Sequence, residues 1–163
     1  MKSKLPKVAH RVLGVPPVEH ARQAEQLGTG HAVMSALETV GALDGPVVVL
    51  AGDVPLVRPE TISRLVETQA ATGAACVLLS AEFHDPSGYG RIIRDVNGAA
   101  IAIVEHKDLA PEQLEVRECN VGLYCFDGVA LGEYLRELRT DNAQGEYYLT
   151  DLVALLHEAG LVV

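Results

Sequence analysis

The sequence predicts an α/β domain with a mostly parallel sheet and an antiparallel hairpin insertion. Three observations carry this. Two short, continuous aliphatic runs, PVVVLA and Ala74 to Ser80, read as buried strands, because a strand covered on both faces loses polar alternation. Segments with apolar side chains at three- and four-residue spacing precede and separate those runs, as crossover helices do. Asn97-Gly98 stands between two short strand-like stretches, the pairing that favours a tight hairpin.

Pro16-Pro17, with Gly14, marks a turning segment. From His31 to Val40, apolar residues at Ala32, Val33, Ala36, Leu37 and Val40 give helical spacing. Gly45-Pro46 breaks that helix from PVVVLA, which runs into Gly52-Asp53-Val54-Pro55. Thr61 to Ala71 reads as a helix with Ile62, Leu65 and Val66 inward, followed by the Ala74–Ser80 strand. Asp85-Pro86-Ser87-Gly88 is turn chemistry, and Arg91 to Arg94 and Ala100 to Glu105 are the hairpin strands. Val121 to Phe126 is one more strand. Thr150 is placed to cap a helix with Leu152, Leu155, Leu156 and Ala159 on one face and Gly160 at its stop. In open α/β sheets, ligands bind beyond the carboxyl ends of the strands.

Composition narrows the function classes. The 163 residues fit one domain, and 48% hydrophobic with 21% charged residues is the balance of a soluble globular chain. Aromatics make up 4% with no Trp, so aliphatic side chains must fill the core. A net charge of -9 argues against a nucleic-acid surface, which needs clustered Lys and Arg, but leaves room for a nucleotide as a small ligand. No apolar run approaches the ~20 residues that span a bilayer, and no signal-type apolar stretch follows MKSKLPKVAH. Cys76, Cys119 and Cys125 form no CxxC pair and sit in apolar surroundings, as buried thiols in a reducing cytoplasm do. The histidines are scattered without zinc-ligand spacing.

Asp53 is the first candidate for chemistry. It follows a buried strand, so its carboxylate projects beyond the sheet, with Gly52 allowing close approach and Pro55 fixing the turn. Such a carboxylate suits Mg²⁺, which takes one or two protein carboxylates and keeps several waters; an Asp that merely bonds its own turn reads the same way. In QLGTGHA two glycines precede a helix, but the third position of a dinucleotide fingerprint is Val33 and no strand comes before. Open N–H groups at the helix start, with Gln and Thr side chains that donate and accept, suit the edge of a base. Lys7, stiffened by Pro6, can reach a triphosphate or stand as a solvated charge. PSGYGRI lets backbone approach a ligand at Gly88 to Gly90, or is a plain turn. Glu105-His106-Lys107-Asp108 reads as a solvated charge cluster, and Asn120 bonds a sugar hydroxyl or closes a turn. NAQGEYYLTD, with adjacent tyrosines, reads as a structural lock rather than a catalytic loop.

Taken together and in this order, QAEQLGTGHAV, LAGDVPL, DPSGYGRI, IVEHKD, the Asn of ECNVGLY and NAQGEYYLTD decide more than any one of them. The chain resembles the N-terminal uridyltransferase domain of bacterial N-acetylglucosamine-1-phosphate uridyltransferases, over nearly its whole length. The resemblance implies a Rossmann-like nucleotidyltransferase domain that transfers a uridylyl group from UTP to N-acetylglucosamine 1-phosphate, with Mg²⁺, in cell-wall precursor synthesis. It implies that Gln23, Gly28 and Thr29 read the uracil and that Lys7 contacts the triphosphate. Ala51 and Gly52 would line the nucleotide, Asp53 would hold Mg²⁺, and Gly90, Glu105 and Asn120 would bind the sugar. The trimer of full-length relatives depends largely on a β-helix acetyltransferase domain outside this chain.

Measured against that pattern, the usual first strand with its Gly-rich loop is missing, VEHARQAEQ runs directly into the uracil loop where relatives have a helix and strand, and the segment with a second Mg²⁺ ligand is missing. Two alternatives therefore stand beside the transferase: a catalytically impaired nucleotide-binding remnant, and a nucleotidyltransferase for another sugar phosphate.

Overall fold

The computed structural model describes residues 21–41, 43–54 and 56–163. Helix α1 spans Thr29–Val40, strand β1 Pro46–Leu50, helix α2 Pro59–Thr72 and strand β2 Cys76–Glu82. Strands β3 (Arg91–Arg94) and β4 (Ala100–Val104) follow, then β5 (Glu118–Asp127), α3 (Gly128–Tyr134) and α4 (Asp151–Glu158), with short 3₁₀ turns between.

The α/β class holds, but the sheet is not mostly parallel: every strand pairing among the described residues is antiparallel. The reason lies in β5. Strands β1 and β2 run in the same direction, joined by α2 as in a parallel unit, but β5 enters between them and pairs with both. Two apolar strands joined by a crossover helix imply neighbours in the sheet. Here a strand some 40 residues further on takes the place between them. The sheet is covered on both faces, so its strands look continuous and apolar whichever way the pairs run.

One face packs Tyr124, Phe126, Ile92 and Ile103 against Leu131, Leu152, Val153 and Leu156, with Val47, Val49, Val33, Met34 and Leu37 around them. The opposite face sets Leu123 and Cys125 with Val48 and Val77 against Leu65 and Val66 of α2. The alternation along β1 and β5 thus divides between two cores, with α1, α3 and α4 on one side and α2 on the other. Burial of each large aliphatic side chain contributes about 1.5–3 kcal/mol to that arrangement.

The hairpin forms as expected. β3 and β4 pair from Arg91↔Val104 to Arg94↔Ala100, and Asp95 accepts from the N–H groups of Asn97 and Ala99 at 2.9 Å, closing the turn at Gly98. Helix α4 starts and stops where expected, but Thr150 does not cap it. Its hydroxyl is engaged by Glu105 instead. On the same helix Val153 is buried and Ala159 exposed, so the apolar face lies nearer 152, 153 and 156.

A kink in β5 positions the site. Pairing with β2 passes from Leu78↔Tyr124 to Ser80↔Asn120, two residues on one strand against four on the other. Gly122, at φ 74°, sits inside this bulge. Bulges re-aim side chains, and here the bulge brings Asn120 alongside Gly90 and the end of β1.

Candidate functional site

Three groups of residues singled out by sequence are linked by hydrogen bonds along one end of the sheet. The first is the loop before α1. Gln23 Nε2 donates to the Gly28 carbonyl at 3.1 Å and lies 3.0 Å from His31 Nδ1. The N–H groups of Gly28 and Thr29 make no hydrogen bond among the described residues. The Thr29 hydroxyl accepts from the N–H of Leu149 at 3.0 Å, which leaves its own proton to donate.

The segment NAQGEYYLTD packs directly on this loop. Gly30 N–H donates to the Tyr147 carbonyl at 2.8 Å, and Tyr147 N–H donates to the Leu27 carbonyl at 2.8 Å. His31 stacks on Tyr147 with ring centroids 6.3 Å apart. A Cβ on Gly28 would lie 2.6 Å from the Tyr147 oxygen, and one on Gly30 2.5 Å from Leu138 Cδ1. The lock expected of this segment is therefore present, and the two glycines are small because it lies against them. Asn142 ties the segment internally, donating to the Glu146 carbonyl at 2.6 Å.

The second group surrounds Glu105. Thr150 donates from its hydroxyl to Glu105 Oε1 at 2.9 Å. A Cβ on Gly90 would come within 3.4 Å of Glu105 Oε2, so the absence of a side chain there keeps that oxygen open. Asn120 N–H donates to the Gly90 carbonyl at 2.9 Å. Asn120 Nδ2 donates to the Tyr124 hydroxyl at 2.6 Å, and Asn120 Oδ1 accepts from Gly122 N–H at 3.1 Å, which leaves one amide proton of Asn120 for a ligand. Burial pushes the Tyr124 phenol up, against the Asn120 bond that favours its ionised form.

The EHKD run is not a simple solvated face. Beyond Glu105, Lys107 Nζ donates to Gln144 Oε1 at 2.5 Å and Asp108 Oδ1 accepts from Ala143 N–H at 2.7 Å, so the run clamps the 142–150 segment. The clamp crowds carboxylates together. Desolvation, with the charges of Glu105 and Asp108, raises the Asp151 carboxyl to about 6. Beside Asp108 and Gln144, the Tyr148 hydroxyl is buried with no hydrogen-bond partner among the described residues, and burial pushes its pKa up.

The third group is the turn after β1. Ala51 N–H donates to the Gly122 carbonyl at 2.9 Å, and a Cβ on Gly122 would lie 2.8 Å from that of Ala51. Gly52 and Asp53 are exposed, and nothing lies within 4 Å of where a Gly52 Cβ would stand. Among the described residues no group of three metal-ligating side chains forms. One accessible carboxylate at a strand end nevertheless fits Mg²⁺ of the kind shared with substrate phosphates, which is not caged by protein alone. Lys7 lies outside the described residues.

Sequence reasoning missed the roles of His31, Tyr147, Thr150 and Asp151. Of these only His31 carried a signal, eight residues from Gln23 at the start of a helix. A hollow of about 670 Å³ between α1 and α3 is lined by Met34, Leu37, Val129 and Leu135 among others and contains none of these candidates. Convergent polar groups, rather than the size of a hollow, define the site.

The arrangement is that of an α/β domain with convergent polar groups and an accessible carboxylate along one end of its sheet. The chain belongs to the nucleotidyl transferase family, whose model matches residues 8–162. It is 43% identical to the bifunctional protein GlmU of Geobacter metallireducens over 197 residues, covering 99% of this chain and 41% of that protein. With the bifunctional protein GlmU of Streptomyces griseus identity is 52% over 154 residues, 93% of this chain and 32% of the relative. With that of Pelotomaculum thermopropionicum it is 42% over 197 residues, 100% and 43%. The chain thus spans less than half the length of these curated relatives. Alignments of 197 positions exceed the 163 residues of this chain, so those relatives carry residues without counterpart inside the matched span. Among solved structures, a UDP-glucose pyrophosphorylase complexed with UDP-glucose aligns with TM-score 0.68 at 16% identity, covering 88% of this chain and 55% of that one, which establishes the shared fold.

Proposed function

We propose that this chain carries the uridylyl-transfer site that joins UTP to N-acetylglucosamine 1-phosphate, giving UDP-N-acetylglucosamine and pyrophosphate. The observation that carries the reading is the continuity of the three groups. The base-side loop reaches Glu105 through adjacent residues Leu149 and Thr150, and Asn120 reaches Ala51 through Gly122. Base, sugar and metal candidates are therefore joined in one network of contacts along the strand ends.

Within that network Gln23, with the Gly28 and Thr29 N–H groups, reads the uracil, and Ala51 and Gly52 line the nucleotide. Gly90 leaves room beside Glu105, whose free oxygen accepts from a sugar hydroxyl, while the spare Asn120 proton donates to the sugar. Asp53 holds Mg²⁺, and Lys7 meets the triphosphate. Held by Asp53, Mg²⁺ would supply charge neutralisation at the transferring phosphates. The sugar phosphate oxygen attacks the α-phosphorus of UTP in line and pyrophosphate leaves. That nucleophile is already ionised at neutral pH, so the residues need only orient two anions and balance their charge. No helix among the described residues is long and apolar enough to cross a membrane. The three free, buried thiols fit a cytoplasmic setting, and assembly as an oligomer, of the kind full-length relatives form as trimers, belongs to the same proposal.

Calorimetric titration of UTP with and without Mg²⁺ tests the proposal. Asp53→Ala should abolish the Mg²⁺-dependent part of binding while moving the urea midpoint little, since surface substitutions stay within about 0.5 kcal/mol. Mg²⁺-dependent UTP binding that survives intact in Asp53→Ala would remove the metal assignment.

A further inference from the structure

We infer that His31 is a specificity-determining positioning residue: it turns the carboxamide of Gln23 so that the oxygen is left for the ligand, which selects a base with an N–H on its pairing edge. The inference deepens the reading above and rests on it in taking Gln23 as a reader of the base.

A carboxamide has two donor protons on nitrogen and an acceptor oxygen, so what it recognises depends on which end faces the ligand. Gln23 Nε2 lies 3.1 Å from the Gly28 carbonyl, which only accepts, and 3.0 Å from His31 Nδ1. The carbonyl fixes the nitrogen end toward the loop. The second amide proton then needs a lone pair, so His31 must keep Nδ1 bare and carry its hydrogen on Nε2. Both amide protons are engaged, and the half-buried Gln23 has only Oε1 to offer.

His31 is itself held in place. It lies in the first turn of α1, stacked on Tyr147, whose backbone is bonded to Leu27 and Gly30 on either side. Terminal amide torsions are broad, so a Gln with a single anchor swings readily, whereas two anchors on its nitrogen hold that end to the loop and turn the oxygen outward.

The chemical consequence follows from the two pyrimidines. Uracil presents N3–H between two carbonyl oxygens, and an amide oxygen meets that hydrogen. Cytosine presents a bare N3, and the same oxygen would set two lone pairs against each other. The N–H groups of Gly28 and Thr29, without a hydrogen-bond partner among the described residues, stand beside Gln23 as donors for a uracil carbonyl.

Two substitutions separate the acceptor from the ring. His31→Asn offers a side-chain oxygen near the position of Nδ1 and loses the stack. His31→Phe keeps a ring against Tyr147 and loses the acceptor. Dissociation constants of UTP and CTP, each with Mg²⁺, are measured on the full chain, together with the ¹⁵N shifts of the His31 imidazole in the free wild type. The expected results are an Nε2–H tautomer and a preference for UTP that falls about threefold to tenfold in His31→Phe, the value of one hydrogen bond. In His31→Asn the preference should stay within about twofold of wild type. An Nδ1–H tautomer, or an unchanged preference in a folded His31→Phe that binds UTP, overturns the role of His31. Wild-type chain that binds neither nucleotide, with the Nε2–H tautomer in place, overturns instead the reading of Gln23 as base reader, and the specificity role falls with it.

Discussion

Gly28 and Gly52 look alike in the sequence, each next to a polar residue at the end of a regular element, and the structure treats them in opposite ways. Around Gly28 the space is taken: a Cβ would stand 2.6 Å from the Tyr147 oxygen, and the backbone holds φ 107° with ψ 177°, a region that only glycine occupies comfortably. Around Gly52 nothing lies within 4 Å. The first glycine is there so that the protein can approach itself, and the second leaves its surroundings open. The loop before α1 is therefore built rigid, by its own chain, while the turn after β1 stays open.

The contrast can be broken by substitution. Gly28→Ala should have the largest effect, about 3 kcal/mol of lost stability from strained backbone plus contact with a backbone oxygen, read as a lower urea midpoint. A Gly28→Ala variant as stable as wild type would mean that the 146–149 segment does not sit on the loop. Thr150→Val comes next. It leaves Glu105 without its hydroxyl partner and should cost about 1–2 kcal/mol, with weaker sugar 1-phosphate binding in titrations.

Asp151→Asn is the smallest of these effects and has a pH signature. Unfolded, the carboxyl titrates near the ordinary Asp value of ~3.9. Folded, it titrates at about 6, so the native state binds its proton more tightly. Its contribution is thus fully present below pH ~4 and lost as pH rises through about 6. Removing the charge should flatten that slope and make the variant more stable than wild type at pH 7 by ~1 kcal/mol, a figure reduced for solvent screening. Denaturation at pH 4 and pH 7 checks it, and equal slopes for the two proteins would dismiss the carboxylate crowding.

What the sequence disclosed follows the range of the interactions. The Asn97-Gly98 hairpin was legible because its turn is local, closed by Asp95 within four residues. Helices α1, α2 and α4 were legible from spacing. The order of the strands was not, since it depends on β5 arriving between β1 and β2, and an apolar strand buried on both faces carries no mark of its neighbours' direction. The candidate residues were found by resemblance and by turn chemistry, and the structure brings together Gly90, Glu105 and Asn120, which lie far apart in the chain. Thr150 was misread as a cap because the sequence cannot show that a carboxylate 45 residues earlier competes for its hydroxyl. The bulge at Gly122 left no local signature beyond the glycine itself.

Leu149 and Thr150 are consecutive, one bonded to Thr29 and the next to Glu105. A single peptide link, with ~3.8 Å between its Cα atoms, therefore sets the gauge between the two halves of the network. The halves cannot be widened independently, so the spacing between Thr29 and Glu105 is a fixed rule rather than a pair of adjustable jaws.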